Sequence, residues 1–204
     1  MSEILKIIAV TGPTATGKTA LAVALARRFD AEIVSVDSRQ VYRHMDIGTG
    51  KDLAEYGDVK YHLIDIADPA TEVYDLAHFC RDASRAVLDI AARGKSPILA
   101  GGTGLYLRSL LYGLDDLPND PELRATLDAE YDSAAGEAVL HDRMRELDPA
   151  AFAKFETCRR RLIRALEVRL ITGKSLLELQ GVVKPLLRYE VEAWRLDPPT
   201  EVLK

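Results

Sequence analysis

Hydrophobic and polar positions fall into two rhythms along the chain. Up to about residue 114, short apolar runs alternate with segments of helical spacing; from Glu122 to Gln180 only helical spacing is found. Ile4 to Val10 and Glu32 to Val36 are apolar runs of strand length, and Tyr61 to Ile66 alternates toward a third strand ended by Asp68-Pro69. Ser96 to Ala100 is a fourth, short and apolar enough to be buried on both faces. Between these runs, Ala20 to Phe29 is rich in Ala and Leu with almost no β-branching, which predicts a helix. Tyr74 to Arg93 sets Leu76, Phe79, Cys80, Ala83, Val87, Leu88 and Ile90 near a 3.6-residue period, with Asp75 to cap the helix and Gly94 to stop it. Leu105 to Tyr112 resumes as helix. The order β-α-β-loop-β-α-β-α predicts the α/β class, a layered sheet with parallel strands.

The second rhythm begins after Leu117-Pro118-Asn119-Asp120-Pro121. Asp120-Pro121-Glu122 and Asp148-Pro149 each pair a capping carboxylate with proline at the first helical position, and Gly173 ends the last long helix. Three or four helices are expected here, as an all-helical insertion lobe on the sheet domain. Tyr189 to Leu196 alternates again and reads as a strand returning to the core, with Trp194 inside. The expected organisation is therefore a core from 1–114, a helical lobe from 115–180, and a return strand within 181–204. Thr200 would cap a further helix of which only a few residues follow, so either a longer chain or a naturally short one is open.

Composition narrows the class without naming a chemistry. Of 204 residues 48% are hydrophobic and 29% charged, proportions ordinary for a globular protein. No apolar run is long enough to span a bilayer, and the first residues lack a secretory leader, so no membrane partner and a cytoplasmic location are expected. Cys80 and Cys158 are far apart and in no C-x-x-C pattern, which argues against a disulfide framework or zinc. A net charge of −5 does not advertise a nucleic-acid binder. It conceals a local bias, because Arg159, Arg160, Arg161, Arg164 and Arg169 crowd together in one helix. Patches decide contact with a phosphate backbone more than totals do.

The candidate chemistry centres on Gly12-Pro13-Thr14-Ala15-Thr16-Gly17-Lys18-Thr19, which fits G-x-x-x-x-G-K-[ST] between a strand and a helix. In that setting loop amides and the helix N-terminus converge on an anion, Lys18 adds a point charge, and the Thr19 hydroxyl can ligate Mg²⁺. Two further stretches end strands at the same sheet edge, where ligands of open α/β sheets sit. They are Asp37-Ser38-Arg39-Gln40 and Gly101-Gly102-Thr103-Gly104. Asp37 should face the contents of the glycine loop, and could also hold magnesium or only cap the next segment. Thr103 offers a hydroxyl at a helix N-terminus, for a ligand or as a plain cap. On the Arg helix, Leu162, Leu166 and Leu170 fall on one face with Arg160 and Arg164 opposite, which predicts docking leucines and outward arginines. His62 and Asp65 read as a strand-end hydrogen-bonded pair rather than a catalytic dyad. The long segment from Arg39 to Tyr61, punctuated by Gly48, Gly50 and Gly57, reads as a functional loop.

Taken in order, GPTATGKT, DSRQVYRHMDIGTGK, HLIDI, GGTGLYL and RRRLIRALEV with TGKSL resemble the tRNA dimethylallyltransferases (isopentenyl-tRNA transferases), from about Ile7 to Leu179. The resemblance implies a P-loop NTPase-like fold and transfer of a prenyl group to N6 of the adenosine 3′ of the anticodon. By that resemblance, residues 12 to 19 hold the diphosphate of dimethylallyl diphosphate with Mg²⁺, and Lys18, Asp37 and Thr103 are catalytic, Asp37 as general base. It also implies tRNA contacts, through the anticodon stem-loop, from Asp37, Ser38, Arg39, Gln40, Thr103, Arg124, Arg160, Arg161, Leu162, Ile163 and Arg164, and a monomeric enzyme. The chain departs from the family pattern in having Thr157-Cys158 before the arginines where Asn-Asp is usual, and Gly50-Lys51-Asp52 where Ala-Lys-Pro is usual. Rival readings are an adenylate dimethylallyltransferase acting on free AMP, ADP or ATP, a small-molecule kinase, and a non-catalytic RNA-binding remnant.

Overall fold

The computed structural model describes residues 5–71, 73–113, 117–180 and 189–199. Five parallel strands form one sheet in the order β3-β2-β4-β1-β5, from β1 (Lys6–Thr11), β2 (Ala31–Ser35), β3 (Tyr61–His62), β4 (Ser96–Gly101) and β5 (Glu190–Arg195). Helix α1 (Lys18–Phe29) packs on one face, and α2 (Leu76–Ala92) on the other together with α3 (Gly104–Tyr112). Strand alternation feeds both layers. Ile33 and Ile98 point into the cluster with Val23 and Ala26 of α1, whereas their neighbours Val34 and Leu99 meet Phe79, Val87 and Leu110 on the other side. Both faces are thus covered, which is why the central strands are continuously apolar. Each such side chain fully removed from water contributes roughly 1.5–3 kcal/mol.

The third strand is shorter than its alternation predicts. Leu63 and Asp65 take left-handed backbone, φ 64° and 56°, and these break the pairing with β2 after His62. The backbone of residues 65–67 instead bonds to the segment after β2, with Asp65 N donating to Gln40 O at 3.0 Å and Ile66 N to Val41 O at 2.8 Å. Trp194 differs from expectation too. It is 45% exposed, because β5 is an edge strand with β1 on one side only, and its indole N–H bonds Glu192 at 3.0 Å.

The helical stretch contains α4 (Pro121–Glu130), α5 (Ala134–Leu147), α6 (Pro149–Phe155), α7 (Arg159–Thr172) and the one-turn α8 (Leu176–Leu179). Asp120, Ser133, Asp148 and Ser175 cap α4, α5, α6 and α8 by accepting first-turn amides. These helices enclose their own core, including Leu127, Tyr131, Leu140, Met144, Leu162 and Leu166. By contact density the chain divides into two compact units, one from Asp115 to Pro185 and one from the chain on either side of it. No helix among the described residues is long and apolar enough to cross a membrane. Thr200 lies outside the described residues.

Candidate functional site

The site is built where β1, β2 and β4 end. After β1 the chain turns through residues 12–17 into α1, and two glycines make that turn possible. Gly12 has φ 149°, and a Cβ there would lie 2.4 Å from the Leu196 carbonyl oxygen at the end of β5. Gly17 is left-handed, φ 78°, at the N-cap of α1, and no side chain caps that helix. The first-turn amides of α1 are thereby left for an anion. Lys18 follows at once, its ammonium folded back onto the Pro13 carbonyl, which also accepts from the Thr16 hydroxyl at 2.9 Å.

Asp37 stands two residues beyond β2. One of its carboxylate oxygens accepts from Arg39 N at 2.8 Å and Gln40 N at 3.1 Å, the geometry of an Asx turn. The other oxygen carries no hydrogen bond among the described residues. Gln40 in turn accepts from the Ser35 hydroxyl at 2.9 Å and donates to Gly50 O at 3.0 Å, so the turn is stitched to the following loop. At the end of β4, Gly101 passes so close to β2 that a Cβ would sit 2.1 Å from Val36 O. That approach brings Thr103 beside Asp37, with Thr103 N donating to Val36 O at 3.3 Å. Thr103 occupies the N-cap of α3 but makes no side-chain cap bond, so its hydroxyl is not committed to the helix.

Together these segments line one cavity of about 860 Å³, which residues 12–19, Asp37 to Gln40 and Thr103 share with Gly48, Thr49, Gly50, Asp52, Glu55 and Tyr56. Partial burial pulls the Lys18 ammonium below its usual pKa, and the negative charge of Asp37 resists that shift. Tyr56 was not legible in the sequence. Burial pushes its phenol up to about 12, with the Thr19 hydroxyl bonded to it and pulling the other way. The glycines at 48, 50 and 57 signalled a functional loop, but no spacing rule singles out the tyrosine that reaches Thr19.

Two sequence expectations are revised. His62 does not pair with Asp65; its Nε2 lies 2.7 Å from Glu32, which also accepts from Arg93 at 2.6 Å, and Asp65 pairs instead with Lys51. The left-handed turn at Leu63 and Asp65 separates the two directions. In the helical unit, Leu162 and Ile163 are fully buried in the core, whereas Leu170 is 43% exposed. Arg164 turns onto Glu167 at 2.7 Å rather than standing outward with Arg160. A two-faced helix was the wrong picture because α7 is buried around most of its circumference from 162 to 168.

Glu167, fully buried, also takes the Arg124 guanidinium at 2.8 Å and the Asp120 amide at 2.8 Å. Burial opposes its ionisation, but the amide and the two arginines outweigh it and hold the carboxyl below the usual range. Arg160 and Arg161 remain exposed, Arg161 lying 6.0 Å from the Phe155 ring centre.

Residues 40–204 match the family model described as IPP transferase, and residues 5–59 match one described as isopentenyl transferase. The chain belongs to the IPP transferase family. A tRNA dimethylallyltransferase of Stenotrophomonas maltophilia (strain R551-3) is 54% identical over 176 residues, 85% of this chain and 55% of that protein. One from Roseiflexus sp. (strain RS-1) is 48% identical over 204 residues, 98% of this chain and 66% of that protein. The crystal structure of a eukaryotic dimethylallyltransferase acting on tRNA superposes with a TM-score of 0.80 at 30% identity, covering 98% of this chain and 50% of that one. This IPP transferase chain thus spans about half to two thirds of the relatives it matches, and its sheet unit has their P-loop NTPase-like fold.

Proposed function

We propose that this chain carries the active-site portion of a tRNA dimethylallyltransferase, moving a dimethylallyl group from dimethylallyl diphosphate to N6 of the adenosine 3′ of the anticodon. The observation that carries the reading is that Asp37, just past the end of β2, shares one cavity with the phosphate loop and acts electrostatically on Lys18. Adenine's amino group is a weak nucleophile, so the carbon it attacks must already be losing its leaving group. Lys18 and the amides of residues 12–19 would hold the diphosphate as the C–O bond breaks, taking up its growing charge. The Asp37 carboxylate would accept the N6 proton as the C–N bond forms. Thr103, whose hydroxyl is not used as a cap, would bond the acceptor nucleotide together with the turn from Asp37 to Gln40.

The residues present suit Mg²⁺ held largely by substrate. Among the described residues no cluster of three or more His, Cys, Asp or Glu could bind a metal, and the Thr19 hydroxyl in the cavity is the kind of single ligand that such an ion takes beside phosphate oxygens and water. When bound, the ion would neutralise charge on the departing diphosphate. In the helical unit Arg160 and Arg161, exposed, suit backbone phosphates of the anticodon stem-loop. Arg124 and Arg164 would offer only the edges that Glu167 leaves uncovered, and Leu162 and Ile163 would support the helix from within. We take the enzyme to work as a cytoplasmic monomer.

Incubation with dimethylallyl diphosphate, Mg²⁺ and unmodified tRNA should yield N6-prenylated adenosine on nucleoside analysis. Asp37→Asn should lower the rate by about 10²–10⁴-fold, the usual contribution of a general base, while tRNA still binds. Full activity in that variant would remove Asp37 from the role, and product from AMP but none from tRNA would move the acceptor to free nucleotides.

A further inference from the structure

A second polar cluster lies behind the cavity wall, and nothing in the proposed reaction uses it. Lys51 is 1% exposed in its side chain, in a loop otherwise open to solvent. Lysine is almost never so buried unless its charge is matched. Here all three ammonium protons are used, toward Tyr42 O at 2.6 Å, Asp46 at 3.0 Å and Asp65 at 2.5 Å. Burial alone would pull the ammonium's pKa down; the two carboxylates outweigh it, and the net shift is upward.

The three partners lie on different turns of backbone. Tyr42 and Asp46 belong to the loop after Asp37, while Asp65 belongs to the segment that ends β3. Strain gathers at the same place. His44, Leu63 and Asp65 are three of the five non-glycine residues with positive φ among the described ones, and each sits within a few residues of a Lys51 contact. Such conformations cost roughly 1–3 kcal/mol and persist only where surroundings enforce them. A direct line then runs to the cavity. Gly50 and Asp52, on either side of Lys51, line it; Gly50 O accepts from the Gln40 amide; and Gln40 N bonds Asp37.

We propose that Lys51 is a positioning residue for the acceptor side of the site. Backbone bonds and Arg43 already tie residues 40–43 to residues 65–67. Lys51 fastens the outer part of the loop, residues 44–52, to the same segment, so that Gly50 steadies Gln40, and through it Asp37, without touching substrate. The assignment of that wall to the acceptor rests on the function proposed above; the fastening itself does not. The phosphate loop takes its shape from β1, α1 and the close approach of Leu196 to Gly12, and meets this loop only beyond residue 52, where Tyr56 bonds Thr19. Loss of Lys51 should therefore impair transfer while leaving donor use nearly intact.

Two variants test this. Lys51→Met leaves Asp65 unmatched and can lower stability by that route alone, so the double variant Lys51→Met with Asp65→Asn, which removes the orphaned charge as well, is measured beside it. In the folded double variant, trypsin should cut after Arg43, exposed where the outer part of the loop begins, at least about tenfold faster than in the parent. Single-turnover transfer to tRNA at saturating donor should fall by about 10²-fold, the scale set by a misplacement near 1 Å, with the KM for dimethylallyl diphosphate within about twofold. A folded double variant whose loop resists trypsin as the parent does overturns the proposal, and so does a donor KM that rises as steeply as the transfer rate falls. If the parent transfers no prenyl group to tRNA, the proposed function fails, and the trypsin comparison still decides whether Lys51 fastens the loop.

Discussion

Cys158 occupies the N-cap of α7 without a cap hydrogen bond, while Asp or Ser accepts first-turn amides at the start of α2, α4, α5, α6 and α8. A thiol is a weak acceptor, so the helix that carries the arginines begins with its first amides poorly satisfied. Cys158→Asp should raise stability by about 1 kcal/mol, read as a higher urea midpoint at unchanged slope, and a lower midpoint would refute it. At this scale the sequence was most informative where glycine forces a backbone path. Gly12 and Gly101 mark where the chain passes close to another segment and Gly17 marks a left-handed turn, and Lys18, Asp37 and Thr103 stand near these points. Lys51 could not be read in the same way, because its partners Asp46 and Asp65 stand by left-handed residues that are not glycine, and Tyr56 could not because Thr19 lies far from it along the chain.

Among the elements, α7 shows how one helix serves two ends. Its interior runs through Leu162, Ile163, Ala165, Leu166 and Val168, and its first turn presents Arg160 and Arg161 to solvent. The helical period was legible in the sequence; the direction of Arg164 was not, because a buried carboxylate one turn on captures it. Arg160→Ala and Arg161→Ala should each weaken tRNA binding across sequences and reduce the salt slope of log K by about 1, measured by titration between 50 and 200 mM salt. An unchanged slope in both would take the helix out of backbone contact. The third strand gives the opposite lesson. Its alternation from Tyr61 to Ile66 looked regular, yet bonds from residues 65–67 to residues 40–41 won over the ladder with β2.

Among the described residues, each of the two units has a buried glutamate whose hydrogen bonds favour its charged form. Glu32 in the sheet unit accepts from Arg93 and pairs with His62, and Glu167 in the helical unit accepts from Arg124 and Arg164. Burial opposes the charge on Glu32 as on Glu167, but the hydrogen bonds prevail and both carboxyls lie below the ordinary value of 4.5. A depressed folded pKa contributes stability that is complete above the unfolded value and is lost as pH falls through the folded one. Urea stability should therefore decline as pH drops below about 4.5, and Glu32→Gln or Glu167→Gln should each flatten that decline. Having no partner in common, their effects should add within about 0.5 kcal/mol. Either variant keeping the full acid slope would count against its pair. The α/β class and parallel sheet followed from the alternation of apolar runs and helical periods, which reports burial on both faces of a strand. Strand order and the exposed edge did not, because β5 lies far along the chain from the β1 it joins.

That last pairing fixes an order of events. The Leu196 carbonyl rests against Gly12, and β5 completes the flank of β1, so the cradle near the amino end is shaped by residues synthesised some 180 positions later. A growing polypeptide still on the ribosome holds the phosphate loop with one side of its strand bare until the whole helical insertion has emerged. The turn at the first glycine thus gains its flank late in translation, and a chain stopped short of the last strand would carry the motif without its buttress.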